Sequence, residues 1–194
     1  MHDSMKNTSA FLAGIAVIAL AYAAALSTPS FAEKTVMVGG AEMFPSKNII
    51  QNAVNSQDHT TLVAAVKAAG LVDMLSGKGP FTVFAPTNSA FDKLPDGTVA
   101  TLLKPENKDK LAGILTYHVV SGTLTSGELA SMVDKMGGKA ELKTVNGEPL
   151  TVKRIGDKHL AIYDPEGRAA RITIADVMQS NGVIHVIDTV EQPN

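Results

Sequence analysis

The sequence predicts an α+β fold in which helices come first and strands later. Apolar residues recur with helical spacing from about residue 46 to residue 115. Alternating or continuously apolar runs, separated by Asn-Gly and Pro-Glu-Gly turns, fill the last third of the chain. Two short strands, 81–85 and 119–123, interrupt the helical part. This order is not the regular alternation of strand and helix that builds a parallel α/β sheet.

Residues 1–32 have the composition of a secretory signal peptide. One lysine, Lys6, precedes an uncharged apolar run from Ala10 to Leu26, and Ser30-Phe31-Ala32 supplies the small residues of a cleavage site. The run is shorter than the roughly 20 residues that cross a bilayer. We therefore expect cleavage after Ala32 and export as a periplasmic or secreted protein. The alternative is an uncleaved segment, the one expected route to a membrane.

The composition of the chain restricts its chemistry. The net charge is −2 and there is no cysteine. A balanced charge argues against a nucleic-acid partner, which would require a basic patch. Without cysteine the domain has neither a disulfide nor a lipid-modified N-terminus, so its core must stabilise it unaided. We interpret residues 33–45 as an extended lead-in and residues 46–192 as a single domain.

The helical part begins with two predicted helices and a further apolar turn. Ser46 is expected to cap a short first helix, and a second helix runs from about Thr60 to a glycine stop at Gly70. The apolar positions of these two helices are Ile49, Ile50, Ala53 and Val54, then Leu62, Val63, Val66 and Ala69.

Three more helical segments are predicted between residues 96 and 138. Asp96 is expected to cap a turn, and Pro105 occupies a first helical position. Thr125 and Glu128 have the spacing of a capping box, and Gly137-Gly138 ends the helix behind it. The expected inward positions are Val99, Leu102 and Leu103; Leu111, Ile114 and Leu115; and Leu129, Met132, Val133 and Met136.

The last third of the chain predicts antiparallel strands. Runs 142–145 and 150–155 flank Asn146-Gly147, which predicts a hairpin with a type I′ turn. Runs 160–163 and 171–177 form a second pair, and 183–190 is the final strand.

The sequence lacks the common catalytic motifs, which predicts that the protein is not an enzyme. The sequence has no G-x-S-x-G elbow, no cysteine nucleophile and no phosphate loop. None of its five histidines lies three or four residues from another, as metal ligands on one helix would. We expect neither a metal nor a cofactor.

Three local motifs remain, and each has a structural interpretation. Residues 81–91 read as a strand ending at Pro86, followed by a short helix that Thr87 or Asn88 can cap. His118, after Tyr117, can bond the last carbonyls of a helix, where its cationic form suits the helix dipole. Residues 183–188 form a strand apolar on both faces, which is typical of a central strand with a hydrogen-bonded interior histidine.

In this order and at these spacings, the three motifs resemble those of the fasciclin domain family. The resemblance runs from about Asn48 to Val190 and is greatest to short exported bacterial members. It implies a wedge of two β-sheets with a cluster of helices along one side, and a role in adhesion without catalysis or cofactor. The family's signature positions, interpreted as structural, are Phe81, Thr82, Phe84, Ala85, Pro86, Thr87, Asn88, Phe91, Gly182, Ile184, His185, Val186 and Asp188.

The resemblance also suggests where a partner binds. Candidate binding residues are Tyr117 and His118, and the segment Asn107, Lys108, Asp109, which resembles a contact segment of animal relatives but is followed by Lys110 in place of an apolar residue. The implied partner is a protein or a matrix or polysaccharide surface component.

Two alternatives stay open. The first is a periplasmic protein that binds a small ligand, a lipid or a glycan, in a groove between apolar helices. The second is an enzyme whose catalytic residues are distant in the sequence. It would bring together at least two of His118, His185, Asp176 and Asp188.

Overall fold

A β-hairpin begins the part of the protein that the computed structural model describes, residues 33–156 and 159–193. Its strands are β1 (Val36–Val38) and β2 (Ala41–Met43), paired antiparallel. Val38 and Met43 are buried in the core, so the segment predicted as an extended lead-in is a hairpin that contributes to packing. The predicted signal peptide lies outside the described residues.

Three helices follow: α1 (Ile49–Ala53), α2 (Thr60–Ala69) and α3 (Val72–Ser76). The prediction that Ser46 caps α1 is wrong, because Asn48 forms a capping box with Gln51 and fixes the start two residues later. Since α1 is short, Val54 lies beyond it and is exposed. Gly70 ends α2 in the left-handed conformation, as predicted.

The middle helices are α4 (Asn88–Phe91), α5 (Thr98–Leu102) and α6 (Lys108–Tyr117), with a 3₁₀ turn at Pro105–Asn107. The prediction of Asp96 as a cap is wrong. Gly97, with a φ of 79°, precedes α5, and no side chain caps this helix. The inward face predicted for α6 is buried, as expected.

Helix α7 (Ser126–Lys135) begins at the predicted capping box of Thr125 and Glu128. Leu129 and Val133 are fully buried. The expectation that Met136 is buried is wrong, because α7 ends at Lys135 and the Met136 side chain points into solvent.

Seven strands form the main sheet, and their order is β4-β3-β9-β8-β7-β6-β5. Strands β3 and β9, the second and third in this order, are parallel, and all other neighbours are antiparallel. The strands are β3 (Phe81–Pro86), β4 (Val119–Ser121), β5 (Lys139–Lys143), β6 (Pro149–Ile155), β7 (His159–Tyr163), β8 (Ala169–Gln179) and β9 (Gly182–Ile187).

The β5–β6 hairpin forms with a different turn from the one predicted. A type I′ turn needs positive φ at both central residues, but Asn146 does not have it and Gly147 does, at 100°. The Gly147 N–H donates to the Thr144 carbonyl (3.0 Å) and the Thr144 N–H to the Glu148 carbonyl (3.2 Å). These two bonds define a three-residue loop in which a type I turn is followed by a glycine bulge.

The main sheet curls so that its two ends meet. Strand β8 is irregular between Ile172 and Val177, which bends the sheet. Val120 in the edge strand β4 forms an isolated bridge with Thr144, which directly follows the other edge strand, β5, and the Val145 N–H donates to the Val119 carbonyl (2.7 Å). The strands therefore form two facing layers joined through β8, in agreement with the predicted wedge.

Two hydrophobic cores fill the molecule. The first lies between helices α1–α6 and one face of β3 and β9, where Val83, Ala85 and Ile184 are buried. The second lies between the two strand layers and α7, where Phe84, Leu129 and Ile162 are buried. The α+β class is confirmed, with α1–α6 along one side of the sheet and α7 packed separately against β5 and β6.

Candidate functional site

The first motif joins β3 to the helices. Thr87 caps α4, because its hydroxyl accepts from the Ala90 N–H (3.3 Å). The Asn88 side chain bonds a different helix. Its Oδ1 accepts from the Thr61 N–H (3.0 Å) and its Nδ2 donates to the Gln57 carbonyl (2.8 Å). Of the two predicted caps, Thr87 therefore caps α4, and Asn88 ties α4 to the start of α2.

The strand part of this motif is buried on both faces. The Thr82 hydroxyl donates to the Gly122 carbonyl (2.7 Å) and accepts from the Leu124 N–H (2.9 Å). Phe84, on the second-core face, stacks on His185 with ring centroids 5.6 Å apart. Ala85, Pro86 and Phe91 are buried as well. These side chains position the strand and the segment after β4.

The closing motif begins with an Asn-Gly pair. The buried Asn181 side chain accepts from the Ile49 N–H (3.0 Å) and donates to the Leu75 and Gly77 carbonyls (2.8 Å each). Gly182 has a φ of 154°, and a Cβ there would clash with the Phe81 carbonyl. Sequence reasoning missed the role of Asn181, although an Asn-Gly pair before a central strand was a visible signal.

His185 is an interior residue of β9 with both ring nitrogens engaged. Its Nε2 bonds the Leu124 carbonyl (2.8 Å), so Nε2 carries the proton. Its Nδ1 accepts from the Asp176 N–H (3.3 Å). Burial lowers the pKa of His185, which keeps the ring neutral. Ile184 and Val186, its neighbours in β9, are buried in the first core.

Asp176 lies at the bend of β8 with a positive φ of 59°. Its carboxylate accepts from the Ser126 N–H (2.7 Å) and from the Ser126 hydroxyl. Ser126 is the first residue of α7, so the bend of β8 supplies an acceptor to the N-terminus of that helix. The sequence offered no signal for this contact.

Tyr117 ends α6 and is fully buried. Its hydroxyl donates to the Pro149 carbonyl (2.9 Å). Burial, assisted by the nearby charge of Asp164, raises the pKa of the Tyr117 hydroxyl. Tyr117 therefore links the end of α6 to the β5–β6 hairpin as a neutral donor.

His118 follows Tyr117 and is equally enclosed. Its Nδ1 bonds the Ile114 carbonyl (2.9 Å), as predicted for a helix end, and its Nε2 accepts from the Glu191 N–H (3.1 Å). These partners place the proton on Nδ1. Burial lowers the pKa of His118 to about 4, so the cationic form expected at this helix end is wrong at neutral pH.

An unpredicted carboxyl pair lies beside Tyr117 and His118. The Asp164 carboxylate accepts from the Arg168 Nε (2.6 Å) and the Arg168 backbone N–H (3.0 Å). The Glu191 carboxyl group is fully buried beside the Asp164 carboxylate, to which its protonated form can donate a hydrogen bond. Burial, together with the charge of Asp164, raises the pKa of Glu191 to about 9. Glu191 is therefore neutral at pH 7.

This carboxyl pair was only partly visible in the sequence. Asp164 and Arg168 flank the Pro165-Glu166-Gly167 turn, and opposite charges at that separation are a recognisable signal. Glu191 lies near the end of the chain in an unremarkable polar context, which gives no sign of burial.

The two groups of candidate binding residues differ in accessibility. Tyr117 and His118 are buried, so any effect on a partner passes through the surface that they support. Lys108 and Asp109 are exposed at the start of the same helix, α6. Asn107 is half-buried, and its side chain donates to the Thr101 carbonyl (2.7 Å).

The groups that an enzyme would bring together are mostly engaged separately. His118 and His185 bond different backbone segments, and the contact between Asp176 and His185 uses the Asp176 backbone N–H. Asp188 accepts from the Arg171 N–H (2.9 Å) and lies 3.9 Å from the Lys93 ammonium. Within residues 33–156 and 159–193, no group of three or more His, Asp or Glu side chains could hold a metal ion.

These motifs and their geometry match those of a known family. The model of the fasciclin domain matches residues 57–193. The chain belongs to the fasciclin domain family. Fasciclin domains typically mediate adhesion or protein interaction. No helix in the described part of this fasciclin protein is long and apolar enough to cross a membrane.

Relatives of this fasciclin protein come from several organisms. The protein sll1483 of Synechocystis sp. is 47% identical over 163 residues, which are 83% of this chain and 82% of that protein. The immunogenic protein MPB70 of Mycobacterium bovis is 31% identical over 207 aligned positions, covering 97% and 98%.

A solved structure shows the same fold. It is a pair of fasciclin domains from the insect cell adhesion molecule fasciclin I, which is similar with a TM-score of 0.67 at 19% identity. The match covers 76% of this chain and 51% of that chain.

Proposed function

We propose that this fasciclin protein is an exported adhesion module that binds a protein or polysaccharide of a cell surface or matrix and catalyses no reaction. The observation that carries the proposal is the internal use of the signature side chains. Backbone groups within the domain are the hydrogen-bond partners of the Thr82, Asn88, His118 and His185 side chains. The recognition groups of such a scaffold lie on its exposed surface.

The start of α6 is the proposed contact surface. Lys108 and Asp109 present one cation and one anion to solvent, and no ion pair within the described part of the chain engages either. The far end of the helix is fixed by Tyr117 and His118. A rigid helix with a free charged terminus suits specific recognition, since few side chains are immobilised on binding.

Binding to envelope fractions tests this surface. The purified full chain should bind saturably, and the double variant Lys108→Ala/Asp109→Ala should weaken binding at least fivefold. The matched control is Lys104→Ala/Glu106→Ala, which removes two exposed charges from the preceding turn. Equal binding by both double variants would remove the start of α6 as the contact surface.

Export has a separate test. Mass spectrometry of the protein recovered from a bacterial periplasm should show an N-terminus at Glu33, as the small residues of the cleavage site require. The variant Ala32→Arg should remain uncleaved. Recovery of the intact chain in the cytoplasm would contradict export without affecting the contact surface.

The alternative of a bound lipid receives little support. The apolar cavity between the helices and β3 has a volume of about 50 Å³. A cavity that holds benzene measures roughly 150 Å³, so a lipid chain does not fit unless the helices separate.

A further inference from the structure

The cavity of about 50 Å³ lies in the first core, between α1, α2, α3 and strand β3. Its walls are almost entirely apolar and include Val66, Leu75 and Val83. His118 also lines this space, but both of its ring nitrogens are engaged with backbone groups, Nδ1 with the Ile114 carbonyl and Nε2 with the Glu191 N–H.

Helix α2 forms one wall along its length. His59, Leu62, Val63, Val66 and Lys67 all line the cavity. Their spacing of three, four, seven and eight residues places them on one face of the helix. His59 is buried, Val63 is half-buried and Lys67 is exposed. The cavity therefore runs from an enclosed end at His59 to an entrance near Lys67.

His59 brings an unpartnered polar atom to the enclosed end. The side chain is 4% exposed. Its Nδ1 lies 2.9 Å from the Ser56 hydroxyl, and its Nε2 has no hydrogen-bond partner among the described residues. A buried polar atom without a partner costs about 1–3 kcal/mol, so this position is unusual for a site that serves packing alone.

The surroundings of the ring identify Nε2 as a donor. The Ala85 carbonyl lies close enough to favour a proton on the ring, although it makes no hydrogen bond of good geometry. The Ser56 hydroxyl can then donate to Nδ1. Burial lowers the pKa of His59 overall, so the ring is neutral and suits an uncharged acceptor.

Water is a poor occupant of this space. A buried water needs two to four polar partners. The lining offers few polar side-chain atoms besides His59 and Ser56, and the Ser56 hydroxyl is engaged by His59. An apolar molecule with one acceptor oxygen would complement the cavity better, since it satisfies Nε2 and covers the apolar walls.

We propose that the cavity binds a small neutral carbonyl compound, whose oxygen accepts from His59 Nε2–H and whose apolar body packs against α2 and β3. The volume has room for roughly four water-sized groups, which corresponds to about four or five non-hydrogen atoms. This site goes beyond the adhesion role and is independent of the surface at the start of α6.

Two ligands of the same shape, one with a carbonyl oxygen and one without, test the site. NMR titration of the ¹⁵N-labelled full chain compares 2-butanone with 2-methyl-1-butene, in which a methylene replaces the oxygen. The affinity of 2-butanone relative to that of 2-methyl-1-butene should be about tenfold higher in the wild type than in His59→Phe, because only the wild type offers a donor to the carbonyl oxygen and the cost of removing each ligand from water cancels in this comparison. Both ligands should shift the amide signals of Val63 and Val66. The same relative affinity in the two proteins, or no shifts with either ligand, would overturn the proposal.

Three variants assign the effect to His59. His59→Phe should lower the relative affinity for 2-butanone about tenfold while 2-methyl-1-butene still binds. Val63→Phe, at a half-buried lining position, should fill the space and abolish binding of both. The matched control His159→Phe alters an exposed histidine outside the cavity and should leave both affinities unchanged. An unchanged relative affinity in His59→Phe, or retained binding in Val63→Phe, would contradict the site.

Discussion

Three buried or half-buried asparagines join segments that are distant in the sequence. Asn52 bonds the backbone of Phe44 through both ends of its amide. Asn88 joins α4 to the start of α2, and Asn181 joins β9 to α1 and α3. An amide suits this role because it donates and accepts at once. Asn181 fastens the helices to β9, and Asn52, whose Nδ2 also donates to the Gln179 side chain at the end of β8, fastens α1 to the same sheet.

We expect Asn88→Ala to lower the free energy of unfolding by about 1–2 kcal/mol. The change removes an acceptor from the N-terminus of α2 and a donor from the Gln57 carbonyl. Urea unfolding measures the effect. Asn88→Asp keeps the acceptor and should lose less. An unchanged midpoint for Asn88→Ala would mean that the contacts contribute nothing to stability.

The sequence indicated which positions matter, but not which groups the side chains at those positions contact. The sequence identified residues 87 and 88 as important, but the partners of Asn88 come from α2, about 27 residues earlier. Likewise the composition around His59 and Glu191 gives no sign that either group is buried. Such properties depend on which segments pack together, which local sequence patterns do not contain.

At the scale of elements, the sequence predicted those helix ends that are fixed by interactions within a few residues. The predictions of a glycine end for α2 and of a capping box for α7 are both confirmed, because each motif satisfies backbone groups within one helix turn. The predictions that Ser46 and Asp96 cap helices are wrong, because Asn48 and Gly97 occupy the N-cap positions of α1 and α5. The predicted type I′ turn of the β5–β6 hairpin is wrong, because the strand register places Leu142 opposite Leu150. This register leaves a loop longer than the two residues of a type I′ turn.

Helix α7 offers a test of capping. Thr125→Ala should lower the free energy of unfolding by about 1 kcal/mol, because the Glu128 N–H loses its side-chain acceptor. The matched control is Thr123→Ala, at a half-buried position just before the helix that carries no side-chain hydrogen bond in the described structure. Differential scanning calorimetry compares the two. Equal unfolding temperatures would show that Asp176 alone suffices to cap α7.

At the scale of the whole molecule, buried neutral groups determine how stability depends on pH. The pKa of Glu191 is raised from 4.5 to about 9 in the folded state. The folded state therefore holds an extra proton between these values, and stability falls as pH rises through that range. The pKa values of His59, His118 and His185 are lowered. The unfolded state then holds the extra protons below pH 6.5, so stability also falls on acidification.

We expect maximal stability near pH 6.5, since three histidines outweigh one carboxyl group below that value. Glu191→Gln should become more stable than the wild type by about 1 kcal/mol per pH unit between pH 6.5 and pH 9. Chemical unfolding at a series of pH values measures both. The control Glu141→Gln changes an exposed carboxylate. A constant difference between Glu191→Gln and the wild type across this range would refute the assignment.

The parallel pairing of β3 with β9 has a consequence for the order of folding. Phe81 pairs with Gly182, about 100 positions later. Contacts between such distant segments slow folding, because a long loop must close before they form. A nascent chain that ends before Gly182 lacks the parallel neighbour of β3, so this part of the sheet assembles only once residues 182–187 have been synthesised.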